Sequence, residues 1–587
     1  MITSPSPSKR WRIAPPAPEE LLKSLQSLPA VQASGLLAQL LYNRGIVEAG
    51  QVERFLDPAP PLLDPLQHPK LKGLDQAVAR LRQAIRRREP VAVYGDYDVD
   101  GVTATVLLVE TLHALGADVR PYIPDRVDEG YGLNTAALDR LGQAGVRVVV
   151  TVDCGARAVE QVAFANEIGL DVVITDHHQP ADKLPACVAC INPRQTGCPY
   201  PFKELAGVGL AFKLAQALLI VEQKLAPEAV PGTPGLDGLL DLVALGTVAD
   251  LAPLLGENRV LVSHGLASLN RVGRVGMSAL MNVAGIRAGA VDAAAIGFGL
   301  GPRLNAAGRI EHAMAAYRLL TTRDEGEALR LAEELEGQNR ERQRLTRETQ
   351  ERARELALAG DEDQLLLFAA SPDFLAGVVG LAASRLVEEF YRPAVVVEQG
   401  EEESHGSCRS IAEFHVTHAL DQCTDLLVRH GGHAAAAGFT VRTENLLALA
   451  ARLRAAASEQ LKGRDLRPSL PIDCEWPLDA LNPAVFQVLR RLEPCGYDNP
   501  VPLLCSRAVR VVEARPVGKD EAHLKLRLGG ARFVWDAIAF WQGGCAGWLR
   551  PGMPVDIVYG LEENEWNGQT RLQLNVRDLR PTSRADG

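Results

Sequence analysis

The stretch VAVYGDYDVDGVTAT, Val91–Thr105, decides how the chain is read. An apolar, β-branched run ends abruptly in Asp96, Asp98 and Asp100, and Gly101 leads into a helix. No hydrophobic core needs three carboxylates at alternate positions. At this spacing each charge disfavours ionisation of its neighbours unless a cation offsets them. A solvated surface turn would carry the same residues, so the motif alone leaves both readings open. The rest of the chain decides. Asp153 in VTVDCG and the Asp176-His177-His178 triplet in ITDHH also close apolar runs, and Asp250 ends the helical stretch LDLVALGTVADL. Together they read as one divalent-metal site assembled from four segments.

Around these motifs, apolar runs at Val91–Tyr94, Val119–Ile123, Val146–Thr151 and Val172–Thr175 predict strands. Val102–Leu115, Thr135–Leu141 and Ala156–Ile168 predict helices between them. Continuous β-branched strands alternating with helices imply a parallel sheet covered on both faces. Pro121 assigns the second strand to an edge. Ligands of such sheets bind beyond the carboxyl ends of the strands, which is where the first, third and fourth strands deliver their carboxylates. The donors are mostly oxygen with one or two imidazoles and no thiolate, which favours Mn²⁺ or Mg²⁺ over structural zinc. They outnumber what one ion needs, so two cations are expected; paired ions roughly 3.5–4 Å apart clamp a phosphate and activate water.

At 587 residues the chain predicts several domains, about three to five. Its net charge of −11 means that binding to nucleic acid would rest on local basic surfaces and metals. MITSPSPSKRWRI lacks a secretory apolar core, and Leu236–Leu255 is interrupted by Asp237, Asp241 and Asp250, which argues against a membrane span. Ten cysteines without disulfide spacing fit reduced, cytoplasmic thiols. Cys187, Cys190 and Cys198 lack a fourth zinc ligand.

Residues 1–85 read as an N-terminal helical extension covering the next domain, with helical patterning at Leu36–Leu41 and Asp75–Arg88. Arg82, Arg86, Arg87 and Arg88 face either phosphates or solvent. The metal motifs place the catalytic domain at 86–320. Thr322–Leu358, highly charged and free of proline, predicts one long exposed helix within a connector, 321–360. A second α/β domain, 361–465, has strands at Gln364–Ala369 and Ala394–Glu398 around a helix at Ala376–Glu389. Residues 466–587 are β-like: Ala508–Val512, His523–Leu528, Trp535–Trp541, Pro554–Tyr559 and Thr570–Val576, with a hairpin signal at Asn567-Gly568. Five short strands suggest an OB-fold barrel, a common single-strand binding module. Lys519, Lys525, Arg527, Trp566 and Arg571 are its candidate surface groups, while Trp535 and Phe540 suit either surface or core.

VYGDYDVDG, VTVDCG, ITDHH and ALGTVADLAPL resemble the four metal motifs of the DHH phosphoesterase superfamily. INPRQTGCPYPFKELAGVGLAF, GLGPRLNAAGRI and RHGGHAAAAGF make the chain similar to that superfamily's single-strand-specific 5′→3′ exonucleases over nearly its whole length. The resemblance implies that Asp98 and Asp100 each bind one ion, that Asp153 bridges both, and that His177 and Asp250 complete the coordination. Asp96 would be a further ligand or a support, and His178 would touch the scissile phosphate. Pyrophosphatase-like relatives carry a histidine four residues before these carboxylates; Tyr94 stands there, which leaves the coordination of one ion open.

In IPDRVDEGYGLN, Arg126 is a candidate phosphate contact, with pairing to Asp125 or Asp128 as the rival role. Arg303, Asn305 and Arg309 in GLGPRLNAAGRI either line a nucleic-acid path or belong to glycine turns packed on the sheet. The Gly406-Ser407-Cys408-Arg409-Ser410 element resembles the phosphate-contacting GSxRS of the associated DHHA1-like domain, which makes Ser407, Arg409, Ser410, Gly432 and His433 substrate-binding candidates. The implied activity is hydrolysis of single-stranded DNA to 5′ mononucleotides in repair and recombination, with helicase and single-strand-binding protein as partners. Two rivals are a phosphodiesterase for short RNA or cyclic dinucleotides and a metal-free replication scaffold. Length and the barrel argue against the first, the full donor set against the second.

Overall fold

The computed structural model describes residues 9–57, 65, 70–125, 129–225, 235–271, 273–310, 313–359, 364–566 and 569–582. Contacts divide the chain into two units. One holds Gly50–Glu341 and Leu492–Pro500; the other holds Met1–Ala49, Arg342–Arg491 and Val501–Gly587.

The first unit is built on five strands: β1 (Val91–Gly95), β2 (Val119–Tyr122), β3 (Val148–Val152), β4 (Asp171–Thr175) and β5 (Ala189–Ile191). They lie all parallel in the order β2-β1-β3-β4-β5. Side chains alternate between two buried faces. Val91, Val93, Val148, Val150 and Val173 pack in one core cluster, and Ala92, Tyr94, Val149, Val172 and Ile174 in another. That double burial is why the strands read as continuous apolar runs. β2 occupies the edge, as Pro121 requires. The order of the strands reverses between β1 and β3, so a crevice opens beyond their carboxyl ends.

Helices α1 (Leu74–Arg87), α2 (Val99–Ala114), α3 (Thr135–Gln143), α4 (Val159–Glu167), α5 (Gly207–Leu225), α6 (Leu240–Ala249) and α7 (Gly256–Leu269) cover the sheet and extend its core. GLGPRLNAAGRI does not form glycine turns. A π-helical turn, Ala295–Leu300, runs directly into α8 (Gly301–Ile310). The long helix is α9 (Glu325–Leu358), whose arginines pair locally, Arg340 with Glu336 at 2.7 Å and Arg344 with Glu348 at 2.6 Å.

The second unit holds a sheet of β6 (Leu367–Ser371), β7 (Ala394–Glu398), β8 (Glu403–Arg409), β9 (Leu427–Gly432) and β10 (Ala436–Arg442), in the order β9-β10-β8-β7-β6. Helix α10 (Ala376–Phe390) connects its one parallel pair, β6 and β7. The barrel follows with β11 (Leu504–Val517), β12 (His523–Gly529), β13 (Val534–Ala539), β14 (Pro554–Trp566) and β15 (Gln569–Pro581). β11 pairs with both β12 and β14, and β13 with β15 in parallel, so the five strands close. Phe540 and Trp541 follow β13 and stand 46% and 75% exposed, which removes them from the core. The Asn567-Gly568 signal and the Trp566 side chain lie outside the described residues.

The reading of residues 1–85 as one helical extension over the catalytic domain needs correction. Arg10–Ile13 is a strand paired in parallel with Ser469–Ile472, and residues up to Ala49 group with the second unit. Trp11 donates to Asp578 at 2.6 Å there, a contact between chain ends that periodicity cannot reveal. Among the described residues no helix is long and apolar enough to cross a membrane.

Candidate metal centre

Every predicted metal group leaves the sheet or its helices at the same edge. Asp98 is the N-cap of α2, and its Oδ1 accepts from the Gly101 N–H at 3.0 Å. Gly101 is needed because a Cβ there would stand 2.5 Å from the Asp96 carbonyl oxygen. Asp100 is buried and accepts from the first N–H groups of α5, Gly207 at 2.6 Å and Val208 at 2.8 Å. Asp153 follows β3 at φ +61°, a left-handed conformation that a non-glycine residue keeps only where its surroundings enforce it. His177 and His178 follow β4, and Asp250 is the C-cap of α6.

Three groups of donor atoms result, each mutually within 4.8 Å: Asp96, Asp98 and Asp153; Asp100, His177 and Asp250; Asp153, His177 and His178. His177 Nε2 lies 3.1 Å from Asp153 Oδ1, 3.7 Å from Asp250 Oδ2 and 4.0 Å from Asp100 Oδ2. Asp153 Oδ1 and His177 Nε2 are both buried and neither makes a hydrogen bond. Two such atoms facing each other at 3.1 Å are what a cation would satisfy, so the residues fit a metal. Asp153 and His177 each belong to two groups, which accommodates two adjoining ions.

The electrostatics agree. Burial, with repulsion from Asp98, pushes Asp100 up to about 7, and burial with Asp100 and Asp98 pushes Asp250 up to about 9. Burial and the same carboxylates raise Asp153 well above its ordinary value. Burial, with His178 beside it, lowers His177 to about 3, leaving the neutral imidazole that coordination requires.

Asp176, grouped by sequence with the metal-binding triplet, joins none of the three donor groups and instead positions His178, and Tyr131 has no role that spacing could assign. Asp176 accepts from Ala156 N at 2.8 Å and from His178 N at 3.0 Å, and its Oδ1 lies 2.8 Å from His178 Nδ1. Burial opposes charge on both partners, yet this pairing holds Asp176 below the usual carboxylate range and His178 above its ordinary value. The Tyr131 hydroxyl donates to the Asp153 carbonyl at 3.3 Å and lies 3.3 Å from His178 Nδ1. Tyr94 turns away: its buried hydroxyl donates to the Gly132 carbonyl at 3.0 Å and accepts from the Asn134 amide. Both bonds tie it to the loop before α3.

The nucleic-acid candidates divide. Arg303 is committed to Glu336 at 2.6 Å and to the Gly299 carbonyl at 2.8 Å, and Asn305 accepts from Val99 N at 3.1 Å. Both are used internally, bracing α8 against α9 and against the metal loop. Arg126 and the Arg309 side chain lie outside the described residues. In the second unit, Arg409 Nη1 donates to Ser407 Oγ at 3.0 Å, and both groups stand beside Gly380 of α10, where a Cβ would lie 3.0 Å from each. Ser410 does not join them, since its hydroxyl donates to the Phe414 carbonyl at 2.7 Å. Gly432, at φ +148°, lets the β9–β10 hairpin close against Ala436, leaving His433 exposed at the tip.

The DHH family, N-terminal domain, matches residues 90–247; the DHHA1 domain matches 363–459 and the RecJ OB domain 472–578. The single-stranded-DNA-specific exonuclease RecJ of Bacillus subtilis is 38% identical over 572 residues, 97% of this chain and 70% of that protein. The chain belongs to the RecJ family. RecJ of Escherichia coli is 36% identical and matches 94% of this chain and 97% of its own length. The crystal structure of RecJ from Thermus thermophilus in complex with Mn²⁺ aligns at a TM-score of 0.82 and 34% identity, covering 98% of this chain and 80% of that one. Its Mg²⁺ complex aligns at 0.77. The RecJ match therefore takes in both α/β domains and the barrel.

Proposed function

We propose that the chain is a divalent-metal-dependent exonuclease specific for single-stranded DNA, degrading it 5′→3′ to 5′ mononucleotides in repair and recombination. The carrying observation is the sharing of Asp153 and His177 between adjoining donor groups at the switch point of the sheet, in a chain of the RecJ family. When bound, two cations, Mn²⁺ foremost and Mg²⁺ next, supply Lewis acidity to the scissile phosphate and acidify a water. Asp96, Asp98, Asp100, Asp153, His177 and Asp250 hold them. His178, aimed by Asp176 and held by that pairing above its ordinary pKa, donates to the phosphate as charge builds on it. Ser407 and Arg409 hold a terminal 5′-phosphate. The exposed Phe540 and Trp541 give unpaired bases a stacking surface on the barrel. A helicase exposing the strand and a protein coating it are the partners such an activity calls for, in the cytoplasm.

The test follows nucleotide release from long single-stranded DNA labelled at either end, beside blunt duplex and dinucleotides, with Mn²⁺ and with chelator. The 5′ label is expected to leave first, as a mononucleotide, from single strands and only with metal. Release of the 3′ label first, or preference for dinucleotides, would overturn the reading.

A further inference from the structure

The metal ligand Asp250 ends its helix in an unusual way. α6 stops with Ala252 N bonded to the Thr247 carbonyl at 3.2 Å, which places Leu251 at φ +57°. This C-terminal position ordinarily takes glycine, and a leucine there costs backbone strain. Leu251 is also 66% exposed, so its own side chain buries little to offset that cost. Something else must hold the turn that carries Asp250.

That support comes from about 240 residues further along the chain, which leaves the second unit after Arg491, gives Leu492–Pro500 to the catalytic unit, and returns at Val501. Within the catalytic unit this segment lies on the loop after Asp250: Leu254 N donates to the Tyr497 carbonyl at 2.9 Å. Gly496 sits so close that a Cβ would stand 2.7 Å from Leu254 Cδ1. Arg259, 2% exposed in α7, clamps the segment. Its guanidinium donates to the carbonyls of Leu492 at 2.9 Å, Glu493 at 2.5 Å and Pro494 at 3.2 Å, while its Nε donates to Phe55 O at 2.9 Å. Asn499, fully buried, stitches the segment to itself through the Leu492 and Pro494 carbonyls at 2.8 and 2.9 Å. Asn258, next to Arg259, fixes the other side of the loop by donating to the Pro253 carbonyl at 3.1 Å.

We propose that Leu492–Pro500 is a strap that sets the position of Asp250 in the metal site, with Arg259 as the positioning residue that fastens it. A planar fork that satisfies three successive carbonyls fixes a backbone path in a way that an ammonium cannot. The strap in turn fixes Leu254, and the strained turn at Leu251 leaves little slack back to Asp250. The last stretch of chain before the barrel thus braces the loop that follows Asp250.

The inference rests on the metal reading of Asp250 and is tested without turnover. Mn²⁺ binding is measured by electron paramagnetic resonance on the full chain, for the parent, Arg259→Lys and Gly496→Ala. Gly496→Ala removes no buried group; it wedges one methyl between strap and loop at an exposed position, so it keeps the test open if Arg259→Lys fails to fold. Weakening of one Mn²⁺ site by about tenfold or more is expected in each folded variant. Faster amide exchange should be confined to residues 250–255 and 492–500. Parent-like Mn²⁺ affinity in folded Gly496→Ala would overturn the strap while leaving the metal reading intact. A parent that binds no Mn²⁺ would overturn both.

Discussion

Asp153 combines four things in one residue: burial, a left-handed backbone, membership of two donor groups and an oxygen that no protein donor satisfies. Asp153→Asn removes a charge from both proposed ion positions and leaves the track for DNA untouched. Turnover should fall far more than tenfold, about 1.4 kcal/mol of barrier, with single-strand affinity nearly unchanged; steady-state rates and filter binding check this, and a loss within tenfold refutes the bridging role. The raised carboxylates give a second expectation. Asp250 at about 9 is protonated at pH 7.5 in the metal-free site, and Asp100 at about 7 partly so. A cation lowers both, so Mn²⁺ binding should release protons near pH 7.5 and release fewer above pH 9. Calorimetry in buffers of different ionisation heat measures the number, and proton uptake would contradict it. The carboxylates were legible because each ends an apolar run, where no core residue belongs. Asp176 stood in the same ITDHH motif, but its hydrogen bonds to Ala156 and His178 depend on how two loops meet, which spacing does not encode.

At the scale of elements, period and strand length governed what could be read. β1, β3 and β4 were visible as continuous apolar runs because both faces of the sheet are covered. β5, only ACI, is too short to carry a pattern, and it was missed. α8 was obscured for a different reason. Its glycines suggested turns, yet Gly308 permits close approach of a helix, since a Cβ there would lie 2.7 Å from the Tyr97 carbonyl oxygen. Asn305 on the same helix accepts from Val99 N at the start of α2. Asn305→Ala leaves that N–H without its acceptor beside the metal loop, and should cost about 1–2 kcal/mol of stability. Chemical denaturation measures the loss. Single-strand affinity should stay within about twofold, since the Asn305 amide oxygen is used on the metal loop; a selective loss of DNA binding at parental stability would support its place on a nucleic-acid path.

Across the whole molecule, the order of domains was legible and the exchange of segments between them was not. Composition marks where helices give way to strands, but Arg10–Ile13 pairing with Ser469–Ile472, and Leu492–Pro500 entering the catalytic unit, are long-range choices. One consequence is that removing everything after 470 would strip the catalytic unit of the strap as well as the barrel, so point substitutions are the sharper probes. Direction of digestion is a whole-molecule property of this kind. A metal centre hydrolyses a phosphodiester without regard to which end of the strand is near, so polarity requires a second group that recognises a terminus. Arg409 and Ser407 suit a terminal phosphate: burial lowers the guanidinium's pKa, an unfavourable placement that a bound anion would offset, and Gly380, against which both groups stand, adds no side chain to displace them. Hydrogen bonds from a guanidinium to a phosphate contribute about 1.5–3 kcal/mol, roughly 10- to 160-fold in rate or affinity. Arg409→Ala should therefore slow digestion of 5′-phosphorylated strands by about that factor, affect 5′-hydroxyl strands much less, and nearly erase the difference between them. Kinetics on both substrates, with Mn²⁺ binding and thermal stability measured alongside, decide the matter. An equal loss on the two strands would assign Arg409 to the fold and place the origin of polarity in another part of the chain.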